Sequence, residues 1–336
     1  MMTQATLGEG NTPLVRSVQI GPRAGLQSLF FKLESCNPSG SYKDRFIAAQ
    51  MGEMLAKGVR SCVATSSGNT GSSLAAYCAR YGIRCTVIVN ENAPTGKLAQ
   101  MQAHGARVIR VPGFAASPGV TTRVYSVLER FSEQTAAPLV VSAYRYCPQG
   151  MAGVESLGRE LRSIAGLRHV FVPVGGGGLY SAVCRGLEGA GVHTHAAQPE
   201  GCPTVVASWL SGAEDITPVE STTRISGLAV PFDIDASLAL QLLRQGGGKG
   251  YAVPDDDVFE AQRTMLTEEG IYCEPAGAAA LAGALRALRN GDIRGGEKVV
   301  CLVTGNGFKD PDSIAAAAER HPSELILLEQ LEASLA

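Results

Sequence analysis

Residues 170–174 read Val-Phe-Val-Pro-Val, and the next four, Gly175, Gly176, Gly177 and Gly178, carry no side chain at all before Leu179, Tyr180, Ser181 and Ala182 open a helical pattern. An apolar run without polar alternation is a strand covered on both faces, the kind that parallel sheets contain. Parallel strands need crossover connections, usually helical, so the order strand, glycine turn, helix restricts the chain to βαβ architectures. Four glycines at that turn also let several backbone N–H groups converge on an anion at a helix start. This is not a Walker loop, because no Gly-Lys-Ser/Thr follows, and it lacks the spacing of a dinucleotide fingerprint. A glycine-rich tight turn without a ligand is the plain alternative.

The same alternation extends through most of the chain. Strands are expected at 61–65, 84–89, 106–111 and 139–142, with helices at 73–81, 97–104 and 120–134 between them, which makes one open α/β lobe. A second series has helices at 153–164, 179–188, 255–269 and 275–288 and strands at 169–174, 193–198 and 298–304. Residues 211–249 are rich in Gly, Ser and Thr with weak periodicity, and read either as a cover over a site or as a surface connection.

Composition narrows the ligand. The chain has 336 residues, 45% of them hydrophobic, enough for a large core split over two lobes. A net charge of −2 with scattered Lys and Arg leaves no electrostatic footprint for nucleic acid or an anionic membrane. No stretch reaches the roughly 20 apolar residues that span a bilayer, and the first residues lack the basic and apolar regions of a signal peptide. The expectation is therefore a cytoplasmic protein with a small-molecule partner. Its nine cysteines form no C-x-x-C pair and read as reduced core residues.

Further segments add side-chain chemistry. Ser66, Ser67, Gly68, Asn69, Thr70 and Gly71 follow the strand expected at 61–65 and open a helix. Hydroxyls and backbone amides there suit a substrate carboxylate, held by Ser66, Ser67, Gly68 and Thr70, while Asn69 is placed to bond a cofactor ring oxygen. A helix-capping cluster is the plain alternative. Thr304 ends the apolar strand 298–304, at the edge where ligands of open α/β sheets collect. Asn37-Pro38-Ser39-Gly40-Ser41-Tyr42-Lys43-Asp44-Arg45 puts one lysine where a glycine-serine loop meets a helical run. Such a lysine can form a Schiff base and act as a base; alone, it equally describes a surface lysine at a helix start. A lysine, an asparagine loop and a glycine cradle together point to pyridoxal 5'-phosphate.

These segments resemble, in order, the motifs of fold-type II pyridoxal-phosphate enzymes, and specifically of threonine-synthase-like members. Leu7-Gly8-Glu9-Gly10-Asn11-Thr12-Pro13-Leu14, the lysine and asparagine segments, Gly96-Lys97-Leu98-Ala99-Gln100, the glycine run, Glu274-Pro275-Ala276 and Thr304-Gly305-Asn306-Gly307-Phe308-Lys309-Asp310-Pro311 carry the likeness. The resemblance implies two open-sheet α/β domains of the tryptophan synthase β-subunit-like architecture. Residues 1–48 with 149–336 would form the large cofactor-binding domain, and 49–148 a small mobile one. Lys43 would hold the cofactor and move the substrate's α-proton, and Asn69 would bond the 3-hydroxyl oxygen. Gly175, Gly176, Gly177 and Gly178 would bind the phosphate, and Thr304 would face the pyridine nitrogen. A neutral hydroxyl does not enforce ring protonation, which suits elimination and replacement better than transamination. The implied substrate is O-phosphohomoserine or a related activated amino acid, the implied assembly a homodimer, and no metal is implied.

One segment departs from that pattern. Where threonine synthases carry an Asn-Ser pair and a downstream Arg that grip the substrate phosphate, this chain has Val141, Ser142 and Cys147. Ser142 remains as a candidate contact, with Arg145, two residues displaced, as the candidate replacement. Ser226-Gly227-Leu228-Ala229-Val230-Pro231 resembles serine/threonine dehydratases and Ser67-Gly68-Asn69-Thr70-Gly71 the loop of cysteine synthases. The alternative function is thus a dehydratase or a β-replacement synthase acting on an O-activated serine. His193 and His195 read as one face of a strand with no third metal ligand near them, Cys147 as a small filler, and Asp255, Asp256 and Asp257 as capping and charging a helix start.

Overall fold

The apolar runs pair into two sheets in the computed structural model, which describes residues 5–66, 68–115 and 117–335. The strands are β1 (Leu14–Arg16), β2 (Ser28–Leu33), β3 (Ser61–Thr65), β4 (Arg84–Asn90), β5 (Arg107–Val111), β6 (Leu139–Val140), β7 (Leu167–Pro173), β8 (His193–Pro199), β9 (Gly250–Val253) and β10 (Lys298–Val303). The larger sheet has the order β1-β2-β10-β7-β8-β9, and the smaller β5-β4-β3-β6. Every pairing is parallel except β1 with β2.

Alternation along β7 and β10 explains why residues 170–173 and 299–303 are apolar at consecutive positions. Val170, Val172, Val300 and Leu302 face one hydrophobic cluster, while Phe171, Val299, Cys301 and Val303 face another. The first cluster contains residues of the helices Lys43–Ala56, Pro148–Arg162 and Gly178–Gly186. The second is filled by helix Pro275–Arg289, whose run of alanines and glycines lies buried from Pro275 to Ala284. Small residues let that helix come close: a Cβ on Gly283 would stand 2.8 Å from that of Ala197. In the small sheet, Cys62 and Ala64 face the helix Asn69–Tyr81 side and Val63 the helix Pro118–Thr135 side. Cys62, Cys78 and Cys85 meet there as buried thiols.

Several boundaries differ from the sequence reading. The strand expected at 139–142 ends at Val140, because the chain turns at once, with Ala143 N–H donating to Val141 O at 2.8 Å. The helix expected from 153 begins at Pro148, where a proline in the first turn costs no hydrogen bond. Residues 211–249 contain the helix Ala236–Gln245 with one buried face, and a stretch before it lines the central cavity. Asp255, Asp256 and Asp257 supply negative charge to the first turn of helix Asp255–Glu269 but do not cap it. Asp255 instead accepts from Thr223 Oγ1 at 2.7 Å and Arg224 N–H at 2.6 Å.

Candidate active site

Lys43 is the first residue of helix Lys43–Ala56, and its neighbours fix where that helix starts. Asp44 is fully buried and accepts hydrogen bonds from Ser39 N–H at 2.6 Å and from the Ser39 and Ser73 hydroxyls at 2.5 Å. Burial pushes its carboxyl up despite those donors. Arg45 grips both oxygens of Glu34, at 2.7 and 2.8 Å, and both oxygens of Glu160, at 2.6 and 2.9 Å. Burial alone would raise Glu160, but hydrogen bonds from Arg45 and Lys32 overcome it and hold its carboxyl at about 2. On the other side the lysine loop is tied to the end of β10, with Tyr42 N–H donating to Thr304 O at 3.1 Å and Ser41 bridging Gly305. The consecutive charges Asp44 and Arg45 thus anchor the turn that presents Lys43. Lys43 Nζ donates to Ser142 Oγ at 2.7 Å.

The glycine turn follows β7, as expected, and leads into helix Gly178–Gly186. Gly177 has φ +92°, and a Cβ there would lie 2.6 Å from the Asp235 carbonyl oxygen. Asp235 Oδ2 accepts from Tyr144 N–H at 2.8 Å, so one carboxylate joins the glycine turn to the segment that carries Ser142. Gly68 stands before helix Asn69–Tyr81, and its N–H donates to Ser66 Oγ at 3.2 Å. Asn69 Nδ2 donates to Glu274 Oε1 at 2.6 Å, while the second Glu274 oxygen pairs with Lys97 Nζ at 3.0 Å.

A cavity of ≈ 280 Å³ brings the expected residues together. Lys43, Thr304, Gly175, Gly176, Gly177 and Gly178 line it from the large sheet's side. Ser66, Gly68, Asn69 and Thr70 line it at the end of β3, and Ser142 just after β6. The carboxyl edges of both parallel sheets therefore meet at one space, as open α/β sheets place their ligands. Ser67 lies outside the described residues. Arg145 does not reach the cavity: it is exposed, with its guanidinium 5.7 Å from the Tyr146 ring, because the 143–147 turn directs it outward. Cys147 is buried, and burial pushes its thiol up to about 11, as befits a filler.

The sequence reading assigned no role to Glu274, Lys97 or Lys309, although all lie in segments that carry the resemblance. Lys309 Nζ is buried and donates to Gln100 Oε1 at 2.7 Å. Burial depresses its ammonium to about 8, against the pull of Glu274 and Asp44. The histidines also need a correction. The pairing of β7 with β8 puts His169 opposite His193, and His169 Nδ1 lies 3.0 Å from His195 Nε2. These rings sit at the amino ends of their strands, away from the cavity.

Two observations test whether pyridoxal phosphate suits this space. On the cavity wall, Asn69 Oδ1 is a buried atom without a hydrogen-bond partner, so polar capacity is left for a ligand. An added Cβ would meet backbone or packed atoms 2.6–3.3 Å away at every position of the glycine turn, most severely at Gly177. The residues fit a phosphorylated ring compound held at one sheet edge and presented to a ligand at the other. That is the site of an enzyme that works through a bound cofactor.

The family model "Pyridoxal-phosphate dependent enzyme" matches residues 5–305, and the chain belongs to this family. Its cofactor is pyridoxal 5'-phosphate and its fold is the fold-type II arrangement. The chain is similar to a threonine synthase of Methanocaldococcus jannaschii, 32% identical over 94% of this chain and 78% of that one. It is also similar to a threonine synthase of Halalkalibacterium halodurans, 30% identical over 95% and 88%. The processed form of threonine deaminase isoform 2 from Solanum lycopersicum superposes with a TM-score of 0.77 over 93% of this chain and 88% of that one; at 20% identity this shows the fold alone.

Proposed function

We propose that the protein is a lyase of the threonine synthase type, which eliminates or replaces a group at the β or γ carbon of an O-activated amino acid such as O-phosphohomoserine. The observation that carries this reading is the contact of Lys43 Nζ with Ser142 Oγ inside a cavity that also holds the glycine turn, Asn69 and Thr304. When bound, the cofactor withdraws electrons from the substrate's α carbon and makes the proton there removable. The protein's part is positional. Gly175, Gly176, Gly177 and Gly178 would hold the phosphate, and the helix start at Ser66, Gly68 and Thr70 would hold the substrate carboxylate. Lys43 takes the α-proton, and Ser142 orients its nitrogen. Thr304, on the cavity wall, would offer the ring nitrogen a hydroxyl in place of a carboxylate, which would favour elimination over transamination.

A second reading, a serine/threonine dehydratase or β-replacement synthase, is favoured by one feature: Ser226, Gly227, Leu228, Ala229, Val230 and Pro231, the segment that resembles dehydratases, all line the cavity. An assay that follows 2-keto acid, phosphate and amino acid products from one panel of substrates separates the two. A holoprotein that yields none of these from any O-activated or free hydroxyamino acid contradicts both. On the resemblance we also propose a homodimer working in the cytoplasm, with residues 49–148 closing against 1–48 and 149–336. Sedimentation of the purified holoprotein checks the assembly.

A further inference from the structure

We propose that Cys62, Cys78 and Cys85 form a binding site for one soft, thiophilic cation of the Cu(I) or Zn(II) class, at the end of the small sheet away from the central cavity. The site stands independently of the reading of that cavity as a lyase centre.

The fold assembles the cluster from three separate segments. β3 and β4 run parallel with Cys62 directly opposite Cys85, so both side chains stand on one face of the sheet. Cys78 comes from the last turn of helix Asn69–Tyr81, which packs on that face. Cys62 Sγ lies 3.6 Å from Cys78 Sγ, and the three sulfurs all lie within 4.8 Å of one another. Sulfurs that share one ion at about 2.3 Å stand about 3.7–4.0 Å apart, so shifts of about 1 Å at most would close this set on an ion. Among the described residues no carboxylate or imidazole lies close enough to join the three. A donor set made only of thiolates selects soft ions over Mg²⁺ or Ca²⁺.

Access and charge favour the same reading. The thiols are buried, yet all three cysteines line a second cavity of ≈ 630 Å³ whose wall includes the exposed residues Arg84, His104 and Arg107, so an ion has a path to the sulfurs. Three thiolates around a divalent ion leave one negative charge, and around a monovalent ion two. The wall carries two guanidiniums and no carboxylate, which offsets that charge. Arg84 and Arg107 begin β4 and β5, whereas Thr65 and Asn69, at the other ends of β3 and of its helix, line the central cavity. A bound ion would therefore clip β3, β4 and the helix together at the ends remote from the substrate.

Metal titration of the reduced holoprotein tests the site, in a Cys36→Ser background that removes the exposed thiol. Zn(II), Cd(II) and Cu(I), the last held by a competing chelator, are added separately under anaerobic conditions. One equivalent should bind, Cd(II) should give a thiolate charge-transfer band in the ultraviolet, and three thiols should become protected from a disulfide reagent. The melting temperature should rise with added ion. Cys62→Ala, Cys78→Ala and Cys85→Ala should each weaken binding by at least about 100-fold, more than the loss of an outer-shell partner does. Retention of the cofactor's visible band reports an intact fold in these variants, and the nearly isosteric serine variant replaces any alanine variant that loses it. Tighter binding of Cu(I) upholds the site as three-coordinate, and tighter binding of Zn(II) upholds it with water as a fourth ligand. Absence of stoichiometric binding, binding that survives all three substitutions, or a Cys62–Cys78 disulfide that forms in place of the metal complex overturns the proposal, and none of these touches the lyase reading.

Discussion

Glu274 Oε2 lies 3.0 Å from Lys97 Nζ, with both side chains almost wholly buried, and this pair joins helix Pro275–Arg289 on the large sheet to helix Thr95–Ala103 beside the small one. A buried ion pair is costly to leave half-made, because the remaining charge has lost both water and partner. Glu274→Ala should therefore lower the unfolding free energy by about 3–5 kcal/mol. The double change Glu274→Met with Lys97→Met should recover most of the loss, as read from urea unfolding of the holoprotein.

Ser142 acts on Lys43 through one hydrogen bond of 2.7 Å. Hydrogen bonds to charged groups contribute about 1.5–3 kcal/mol, so Ser142→Ala should lower kcat/KM roughly 10- to 100-fold. The cofactor band should persist, because the glycine turn and Asn69 are untouched. Loss of the band together with activity would show that Ser142 holds the cofactor instead of orienting Lys43.

The glycine turn predicts a graded series. Gly177→Ala faces both a φ of +92° and a backbone carbonyl 2.6 Å away, whereas Gly176→Ala meets Val230 Cγ1 at 3.3 Å, a methyl that can shift. Cofactor retention during dialysis should fall sharply for Gly177→Ala and mildly for Gly176→Ala.

Acid stability follows from groups whose folded-state pKa lies below the ordinary value. Glu160 is held at about 2 against 4.5, so its contribution is complete above about pH 4.5 and is lost as the pH falls towards 2. Burial, with His169 and His193 adding, lowers His195 to about 3 against 6.5, so its contribution is lost as the pH falls from 6.5 towards 3. Both signs agree. Urea midpoints should decline below pH 6.5 and more steeply below 4.5, and Glu160→Gln should flatten the lower part.

Much of this was legible in the sequence because both signals are local. β7 and β10 are apolar at consecutive positions since helices cover both faces, and the glycine turn sits where its strand ends. Lys43, Asn69, Thr304 and the four glycines reach one cavity because each follows or abuts the carboxyl end of a parallel strand. Strands β1, β2 and β9 were not legible: β1 and β9 have only three or four residues, which carry no readable period, and β2, Ser28–Leu33, is a mostly apolar six-residue run with no glycine turn or α-helix directly after it. Nor were the partners of Glu274 and Lys97, which come from different sheets and meet only after the chain has folded. Arg145 shows the limit most plainly: within one turn the backbone directs Ser142 inward and Arg145 outward, and composition does not encode that choice.

The central claim is that Lys43 carries the cofactor, and chemical trapping tests it directly. Borohydride reduction of the holoprotein followed by peptide mapping should place the reduced pyridoxyl phosphate on the peptide containing Lys43, and Lys43→Ala should abolish that modification together with the visible band. Attachment to Lys97 or Lys309 instead, or a modification that survives Lys43→Ala, would contradict the account.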